Sequence, residues 1–480
     1  MRQFKLNAFV SSVAVAFACG VPPALADDDV VQQLLETLRA KGTLTEAEAA
    51  ELQTKIEARS AETRAEARKQ RQREATEAGK RANETSGTFR DGFLWESADK
   101  ANSISLNGRI HADFRQYGGV DAINTDTFDV RRAYIGARGK FQNNFEYEVT
   151  ADVAQTEAPQ LDVAWINWIF SQSVQLRAGQ FKMPMSIEEL TSSRFIDFQE
   201  RSFVNRFAPA KERGLAVHGE PMAGVFYGIA LSNGAGKNAN ETDASIDDMD
   251  LIGRIGVNLA QIFGKSDMVL HLAVATSSGE LQVTATVPKG RTEARGITFF
   301  SSAAFDGTLI DRERQHLEAS IAYGPVKLQF ESMDVSFEGK SVGGVNFNRS
   351  VQTAYASLNW LVTGESYARA YRTGAYGRIV PLLDFNPAKE GGTGAIELGV
   401  RFSRFDASDF TLTNLPGTGL LGATSTNQAD AVTVGLKWIV NPNVRFMLNV
   451  VNTDFDTPVT VGTEIVRGER GVMLRAGLDF

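Results

Sequence analysis

The sequence contains little cysteine and little charge for its length. It has 480 residues, of which one is cysteine and 22% are charged. A single cysteine excludes a disulfide framework and a cysteine-based zinc site. The hydrophobic fraction of 43% is too high for a disordered chain. Because the formal charge is −8, we expect no nucleic-acid partner.

Long apolar runs and enzyme motifs are also missing. After residue 26 no stretch approaches the roughly 18 consecutive apolar residues of a membrane-spanning helix. H-E-x-x-H, G-x-S-x-G and P-loop patterns do not occur, and the four histidines are scattered along the chain. We therefore expect no enzyme, no metal site and no cofactor. The 43 glycines and 30 phenylalanines must belong to a fold that is neither a bundle of membrane-spanning helices nor one of these enzyme classes.

The first residues have the pattern of an export signal. Arg2 and Lys5 precede an apolar stretch over 8–21, and an A-L-A tripeptide at 24–26 provides a small-residue cleavage site. The pattern predicts a signal peptide over residues 1–26. An uncleaved membrane anchor is one alternative, and a lipoprotein site at the single cysteine is a weaker one.

Residues 27–90 have a helical pattern. Thr45 and Glu48 form a capping-box sequence, because the hydroxyl and the carboxylate can satisfy free backbone groups at a helix start. This predicts a helix from Glu46 to about Lys80. One interpretation is a periplasmic coiled coil that joins subunits or reaches the cell wall. The other is a solvated, partly disordered helix, because the heptad core positions are mostly alanine.

From about residue 100 the hydrophobic period changes from 3.6 to 2. Over 103–117, Ile104 and Leu106 fall on one face, and Ser105 and Asn107 on the other. Many such runs have about 9–11 residues, the length of a tilted strand that crosses a bilayer. Sixteen candidate strands lie near 103–117, 128–140, 144–154, 161–170, 174–181, 212–219, 224–232, 249–260, 267–277, 314–323, 326–336, 351–362, 395–405, 431–440, 444–453 and 471–480.

The alternation favours a membrane barrel over a soluble sandwich or propeller. Ionised side chains occupy the second face, no repeat of propeller length is evident, and spacers alternate between short (441–443) and long (373–394). In lipid, strands satisfy their backbone only in a closed barrel. The sequence therefore predicts an all-β, sixteen-stranded antiparallel transmembrane β-barrel over residues 91–480. We expect the bacterial outer membrane as its location, with the amino-terminal segment in the periplasm.

Six segments of the chain form recognisable motifs: V-R-R-A-Y-I at 130–135, F-E-Y-E at 145–148, L-R-A-G-Q-F at 176–181, E-E-L-T-S-S-R at 188–194, V-T-G-E at 362–365 and the closing segment. These motifs resemble those of the phosphate-selective porin O/P family. The resemblance covers roughly residues 100–480 and implies a homotrimer. Each barrel would have a pore narrowed by an inward-folded loop 3 and would pass phosphate or other small anions. A terminal strand ending in Phe480 is similar to the insertion signal of outer-membrane barrels. We accordingly expect contacts with the insertion machinery, lipid and lipopolysaccharide.

The expected chemistry of the pore is anion binding by fixed cations. A dehydrated anion needs donors in place of water, and the planar guanidinium suits phosphate. Alternation places Arg132 and Arg138 inward, whereas Arg131 would point outward unless its strand is irregular. The resemblance assigns both Arg131 and Arg132 to a cationic ladder. Further candidates on a strand and in loop 3, predicted over about 182–213, are Arg177, Lys182, Arg194, Arg201 and Arg206.

Two acids in the predicted loop 3 argue against phosphate specificity. Glu188 and Glu189 fall in loop 3, and in phosphate-specific members of the family the position of Glu189 is a lysine. A carboxylate in the constriction would repel phosphate. The region 91–480 also carries 36 basic against 45 acidic residues. The alternatives are therefore a general or cation-leaning porin, or a structural tether that joins the outer membrane to the cell wall through residues 27–90.

Overall fold

The chain forms two compact units. The first ends at Asn83 and the second comprises Glu84–Phe480. Among the described residues no helix is long and apolar enough to cross a membrane. The predicted signal peptide lies outside them. The computed structural model describes residues 45–82, 85–89, 92–118, 126–154, 158–238, 249–281, 288–303, 305, 310–341, 344–388, 392–412 and 419–480.

The amino-terminal unit contains one long helix, α1, Glu46–Ala82. The predicted capping box is confirmed. The backbone N–H and the hydroxyl of Thr45 donate to the Glu48 carboxylate at 3.0 and 2.7 Å. The 37 residues of α1 rise about 55 Å along the helix axis.

The second unit is a closed antiparallel barrel of sixteen strands, as the alternation predicts. Each strand pairs with the next along the chain, and the last strand pairs with the first, so no edge remains open. The strands are β1 Ser103–Gly118, β2 Thr127–Phe141, β3 Phe145–Asp152, β4 Gln160–Ile169, β5 Gln175–Lys182, β6 Lys211–Met222, β7 Val225–Ser232, β8 Asp250–Asn258, β9 Met268–Leu281, β10 Ile310–Tyr323, β11 Val326–Lys340, β12 Asn346–Leu361, β13 Ala395–Asp406, β14 Gln428–Asn441, β15 Val444–Val461 and β16 Glu464–Asp479.

A short hairpin precedes the barrel and crosses the expected boundary at residue 90. Its strands are Thr85–Phe89 and Phe93–Ser97, and the second pairs with the first residues of β1. The rest of that edge pairs with β16, where Phe480 and Gly108 exchange two backbone hydrogen bonds of 3.0 and 2.8 Å. The hairpin therefore covers the part of the β1 edge that the carboxyl terminus does not reach.

The barrel wall is apolar outside and polar inside. On β9, Leu272 and Val274 are exposed outward, whereas His271 and Ser277 are buried toward the lumen. The other strands repeat the apolar outer face, which suits an apolar surrounding. The inner face is polar on some strands and carries buried phenylalanines such as Phe405 on others.

The connections at the two ends of the barrel differ in length. One end, called the loop end, carries the β1–β2 and β5–β6 connections. The other, the turn end, has short links such as 324–325 and 442–443. The long spacer at 373–394, expected to be an external loop, joins β12 to β13 at the turn end. There Arg378 donates to the Pro442 carbonyl.

Three connections fold into the lumen. Loop 3 spans 183–210, loop 5 denotes residues 288–303 between β9 and β10, and the inner segment denotes 362–388 between β12 and β13. Loop 3 contains a one-turn helix, α2, and a 3₁₀ turn. The short elements are α2 Ile187–Leu190, the 3₁₀ turn Phe203–Arg206, α3 Leu259–Ile262 between β8 and β9, the ribbon Lys289–Arg291 with Thr298–Ser301, α4 Tyr367–Ala370 and the ribbon Tyr371–Arg372 with Ala375–Tyr376.

The lumen is filled unevenly. On the side of β8–β15, phenylalanines from the wall and from loops 3 and 5 form an apolar core, which Phe181 of β5 also joins. The Phe299 ring contacts Phe203 and Phe405 edge-on, at centroid distances of 5.6 and 5.0 Å. On the side of β1–β6 the lumen remains open and charged. We call these the packed side and the open side.

Candidate pore and anion site

Two β-bulges direct extra charged residues into the open side. The β1–β2 register shifts between His111 opposite Arg132 and Ala112 opposite Val130, so Arg131 is the additional residue. The register of β3 with β4 shifts in the same way around Asp162. A bulged residue escapes strict alternation. This explains why both Arg131 and Arg132 face the lumen, although alternation alone would turn Arg131 outward.

A cavity of about 380 Å³ lies between loop 3 and strands β1–β6. Eight cations and three acids line it. They comprise six of the eight predicted cations, Arg132, Arg138, Arg177, Lys182, Arg194 and Arg201, together with Arg109, Lys211, Glu148, Asp162 and Glu189.

Two of the predicted cations hold loop 3 in place. Lys182 Nζ donates to the carbonyls of Glu189 and Thr191, and Arg201 donates to those of Glu188 and Thr191 at 2.9 Å each. These carbonyls lie at the end of α2, where helical partners are absent. Lys182 and Arg201 therefore shape the cavity as well as charging it.

Arg132 and Arg109 present donors to the cavity. Nη1 of Arg132 is buried and has no hydrogen-bond partner among the described residues. Arg109 donates to the Ser193 hydroxyl at 2.5 Å and lies over the Tyr134 ring at 4.0 Å. Arg194 donates to Asn107 at 2.9 Å. An unpaired buried guanidinium nitrogen is costly, so Nη1 of Arg132 would be stabilised by an acceptor placed in the cavity.

Glu189 lines the cavity but is neutralised by its neighbours. It is 3% exposed, pairs with Arg201 at 3.2 Å and Lys182 at 3.7 Å, and accepts from Asn205 at 2.7 Å. Burial alone would raise its pKa, but Arg201 and Lys182 hold the pKa below its usual value. The carboxylate is therefore charged and already compensated.

Glu188 does not line the cavity. It points toward the packed side, where it accepts from the Ser202 hydroxyl at 2.6 Å and from Arg401 at 3.1 Å. Burial, with Glu331 nearby, outweighs the attraction of Arg401 and raises the pKa of Glu188 to about 7. The two predicted constriction acids thus have different surroundings and different protonation behaviour.

A second cluster of cations surrounds Glu200 of loop 3, toward the loop end. Its carboxylate accepts from Arg131 at 3.0 Å, Arg115 at 3.1 Å and Arg475 at 3.3 Å, and lies 3.7 Å from Arg295 of loop 5. Burial would raise the pKa of Glu200, but Arg131, Arg132, Arg295 and Arg475 hold it well below its usual value. Arg206, the remaining predicted cation, is exposed and lies outside the cavity lining.

The packed side anchors loop 3 through wall carboxylates. Glu318 accepts the Ile187 N–H at 2.6 Å and Glu331 accepts the Glu188 N–H at 3.0 Å, so the wall caps the start of α2. His316 lies 3.0 Å from Glu331. His316, Glu318 and Glu331 are close enough to hold a metal ion. Because Arg254 also bonds to Glu318, the cluster is better explained as an anchor for loop 3.

Arg401 joins both inserted loops to strand β13. It donates to Glu188 of loop 3 at 3.1 Å and to Glu293 of loop 5 at 2.6 Å, and is 1% exposed. Loop 5 was not predicted as part of the site. The alternation of Arg291, Glu293 and Arg295 in its sequence was the available signal, because such charges in a long connection need partners.

The family comparison identifies the barrel region. The chain matches the model for phosphate-selective porin O and P over residues 104–460. Porin O of Pseudomonas aeruginosa is 24% identical over 390 residues, covering 75% of this chain and 85% of that protein. An uncharacterized protein of Caulobacter vibrioides is 23% identical over 397 residues, covering 79% of this chain and 74% of that protein.

One solved outer-membrane channel shares the fold at low identity, and a second structure matches with a lower TM-score. The channel DcaP of Acinetobacter baumannii matches with a TM-score of 0.50 at 9% identity, covering 81% of this chain and 99% of that chain. The trimer form of OmpT from Vibrio cholerae matches with a TM-score of 0.48 at 9% identity, covering 79% and 100%. Because the family model spans well over half of the sequence, the chain belongs to the phosphate-selective porin O and P family of outer-membrane channels.

Proposed function

We propose that the channel passes small anions, phosphate among them, along the open side of its lumen. The observation that carries this proposal is the excess of eight cations over three acids around the central cavity. The overall charge of the chain is negative, but a permeating ion responds to the charges that line its path within about a Debye length.

The path contains cations in series. From the loop end, an anion would first meet the arginines around Glu200 and then Arg132 and Arg109 in the central cavity. A second cavity of about 340 Å³ adjoins toward the turn end and shares Arg177 and Lys182 with the first. Several weak sites in sequence allow an ion to leave as readily as it enters.

The proposed anion preference is compatible with an acid at position 189, because neighbouring cations compensate its charge. Arg201 and Lys182 compensate Glu189, and Lys211 at the start of β6 adds a further cation, 2.5 Å from Asp162. Phosphate-specific members of the family carry a lysine at the position of Glu189. In this chain Lys182 and Lys211, at the strand ends next to loop 3, supply the positive charge. The rival is a general or cation-leaning porin, which would need Glu189 to act as an unpaired charge.

The test is the reversal potential of purified protein in planar bilayers under a KCl gradient. We expect chloride to permeate better than potassium at neutral pH, and added phosphate to reduce the chloride current. A cation preference at neutral pH would overturn the proposal. A protein that forms no pores would instead favour the structural tether.

We also propose a homotrimer in the outer membrane, with the amino-terminal segment in the periplasm. Membership of a trimeric porin family by resemblance and the apolar outer wall support this arrangement. Chemical cross-linking of the purified protein should give a trimer. Deleting residues 27–82 of the mature chain should leave the conductance unchanged, whereas loosening of the cell envelope in that deletion would indicate a tethering role for α1.

A further inference from the structure

Apolar side chains line the central cavity beside the cations. Tyr134, Val163, Trp165, Phe181 and Phe195 contribute to its wall. The lumen of a water-filled porin is ordinarily polar, because an apolar side chain facing water gains nothing there. Phe181 is buried in the apolar core, but Trp165 and Phe195 keep part of their surface exposed. This is more aromatic surface than the passage of a bare inorganic ion requires.

Trp165 is the central residue of this lining. It lies on β4 opposite Glu148, faces the lumen and is half-buried. The Arg177 guanidinium lies 4.4 Å above its ring and 5.9 Å from the Phe181 ring. A planar cation held against an indole provides a flat surface with both apolar and positive character. Such a surface suits a flat, negatively charged organic molecule.

The size of the cavity is consistent with an organic solute. Its volume of about 380 Å³ lies within the range of about 300–1,000 Å³ of small-molecule sites, which combine apolar walls with a few placed polar groups. A phosphate ion would occupy a small part of this space, and the aromatic walls would add nothing to its binding.

We infer that the cavity selects aromatic carboxylates over anions without an apolar body. The carboxylate group would bind at Arg109 and Nη1 of Arg132, and the ring would lie beside Trp165 and Phe195. This inference rests on the proposed anion path and specifies its solute class. Ring burial releases water from apolar surface on both partners, whereas acetate or phosphate offers only the charged group.

The experiment compares benzoate with acetate as blockers of chloride current, since the two carry the same charge. We expect benzoate to halve the current at a concentration at least about tenfold lower than acetate, equivalent to about 1.4 kcal/mol. Trp165→Leu should reduce this ratio to about twofold or less, and Trp165→Phe should retain most of it. Block is expressed as a fraction of the current of each variant.

Trp168→Leu is the matched control. Trp168 lies three residues further along β4, faces outward and stacks on Phe145 at 5.4 Å. It should leave both the chloride current and the benzoate-to-acetate ratio unchanged. If benzoate and acetate blocked an anion-selective channel equally, the inference about aromatic carboxylates would be wrong and the proposed anion path would still stand. An unaltered ratio in Trp165→Leu would also overturn it, by reducing Trp165 to a packing residue. Cation selectivity would instead overturn the proposed function.

Discussion

The open and packed sides of the lumen use the same barrel in opposite ways. Strands β1–β6 present cations to a cavity, and Arg132 retains a buried nitrogen without a partner among the described residues. Strands β8–β15 bury phenylalanines against loops 3 and 5. The difference indicates that the pore is narrowed by packing on one side, which leaves the charges on the other side available to solutes.

Buried charges on the packed side are paired instead of available. Arg401 bridges Glu188 and Glu293, and Lys327 binds Asp197 of loop 3 at 2.7 Å. These pairs fix the position of loop 3, because a buried ion is costly without its partner. A rigid packed side thereby holds the cationic cavity in one geometry, and such preorganisation favours selective binding.

Removing Arg401 should have the largest effect, because it breaks the packed side. In Arg401→Met, Glu188 and Glu293 remain buried with one fewer cation, which costs about 3–5 kcal/mol. We expect loops 3 and 5 to detach and the single-channel conductance to rise severalfold with frequent fluctuations. Single-channel recording and limited proteolysis of loop 3 measure this.

Arg404→Met is the control for that variant. Arg404 lies on the same strand but faces outward, with 53% of its side chain exposed, and pairs with Asp406 and Asp430. It should change neither conductance nor proteolysis. If Arg401→Met conducts like the unaltered protein, the packed side does not hold the pore in shape.

Removing Arg132 should have the next largest effect, because it weakens the open side without touching the packed one. Arg132→Ala deletes a cation whose charge is available to solutes, so the preference for chloride over potassium should fall about threefold, as judged by reversal potential. Arg470→Ala, which removes an exposed cation from the outer face of β16, should have no effect. Equal shifts in both variants would argue for a diffuse surface potential instead of a specific path.

The barrel wall was predictable from the sequence because its alternation is enforced at every strand. All sixteen predicted strands correspond to strands of the barrel.

The side-chain contacts inside the lumen were less predictable from the sequence. Arg131 faces inward because of a bulge, and nothing in the alternation marks where a register shift occurs. The negative charge of Glu189 is compensated by Lys182 and Arg201, and this pairing depends on the way loop 3 folds into the lumen. Loop 5 reaches Arg401 across the lumen, a contact between residues 108 positions apart.

A pH change should affect the packed side and not the open side, because it acts through Glu188. Burial raises its folded-state pKa to about 7, above the value in an unfolded chain. The docked loop therefore favours the protonated acid, and this contribution to stability is lost as pH rises through about 7. We expect fewer opening fluctuations at about pH 5.5 than at about pH 8. Glu188→Gln should remove this dependence, and its persistence there would assign the titration to another group.

The smallest effect is expected from removing the charge of Glu189, which Arg201 and Lys182 already compensate on the open side. Glu189→Gln removes a carboxylate already paired with Arg201 and Lys182, so the chloride preference should rise by less than about twofold. Glu148→Gln removes an acid of the same cavity that is less buried and accepts a long hydrogen bond of 3.4 Å from Thr150. Its reversal potential should shift more than that of Glu189→Gln. The opposite order would mean that Glu189 acts on the permeating ion directly, and the cation-leaning alternative would then describe the pore better.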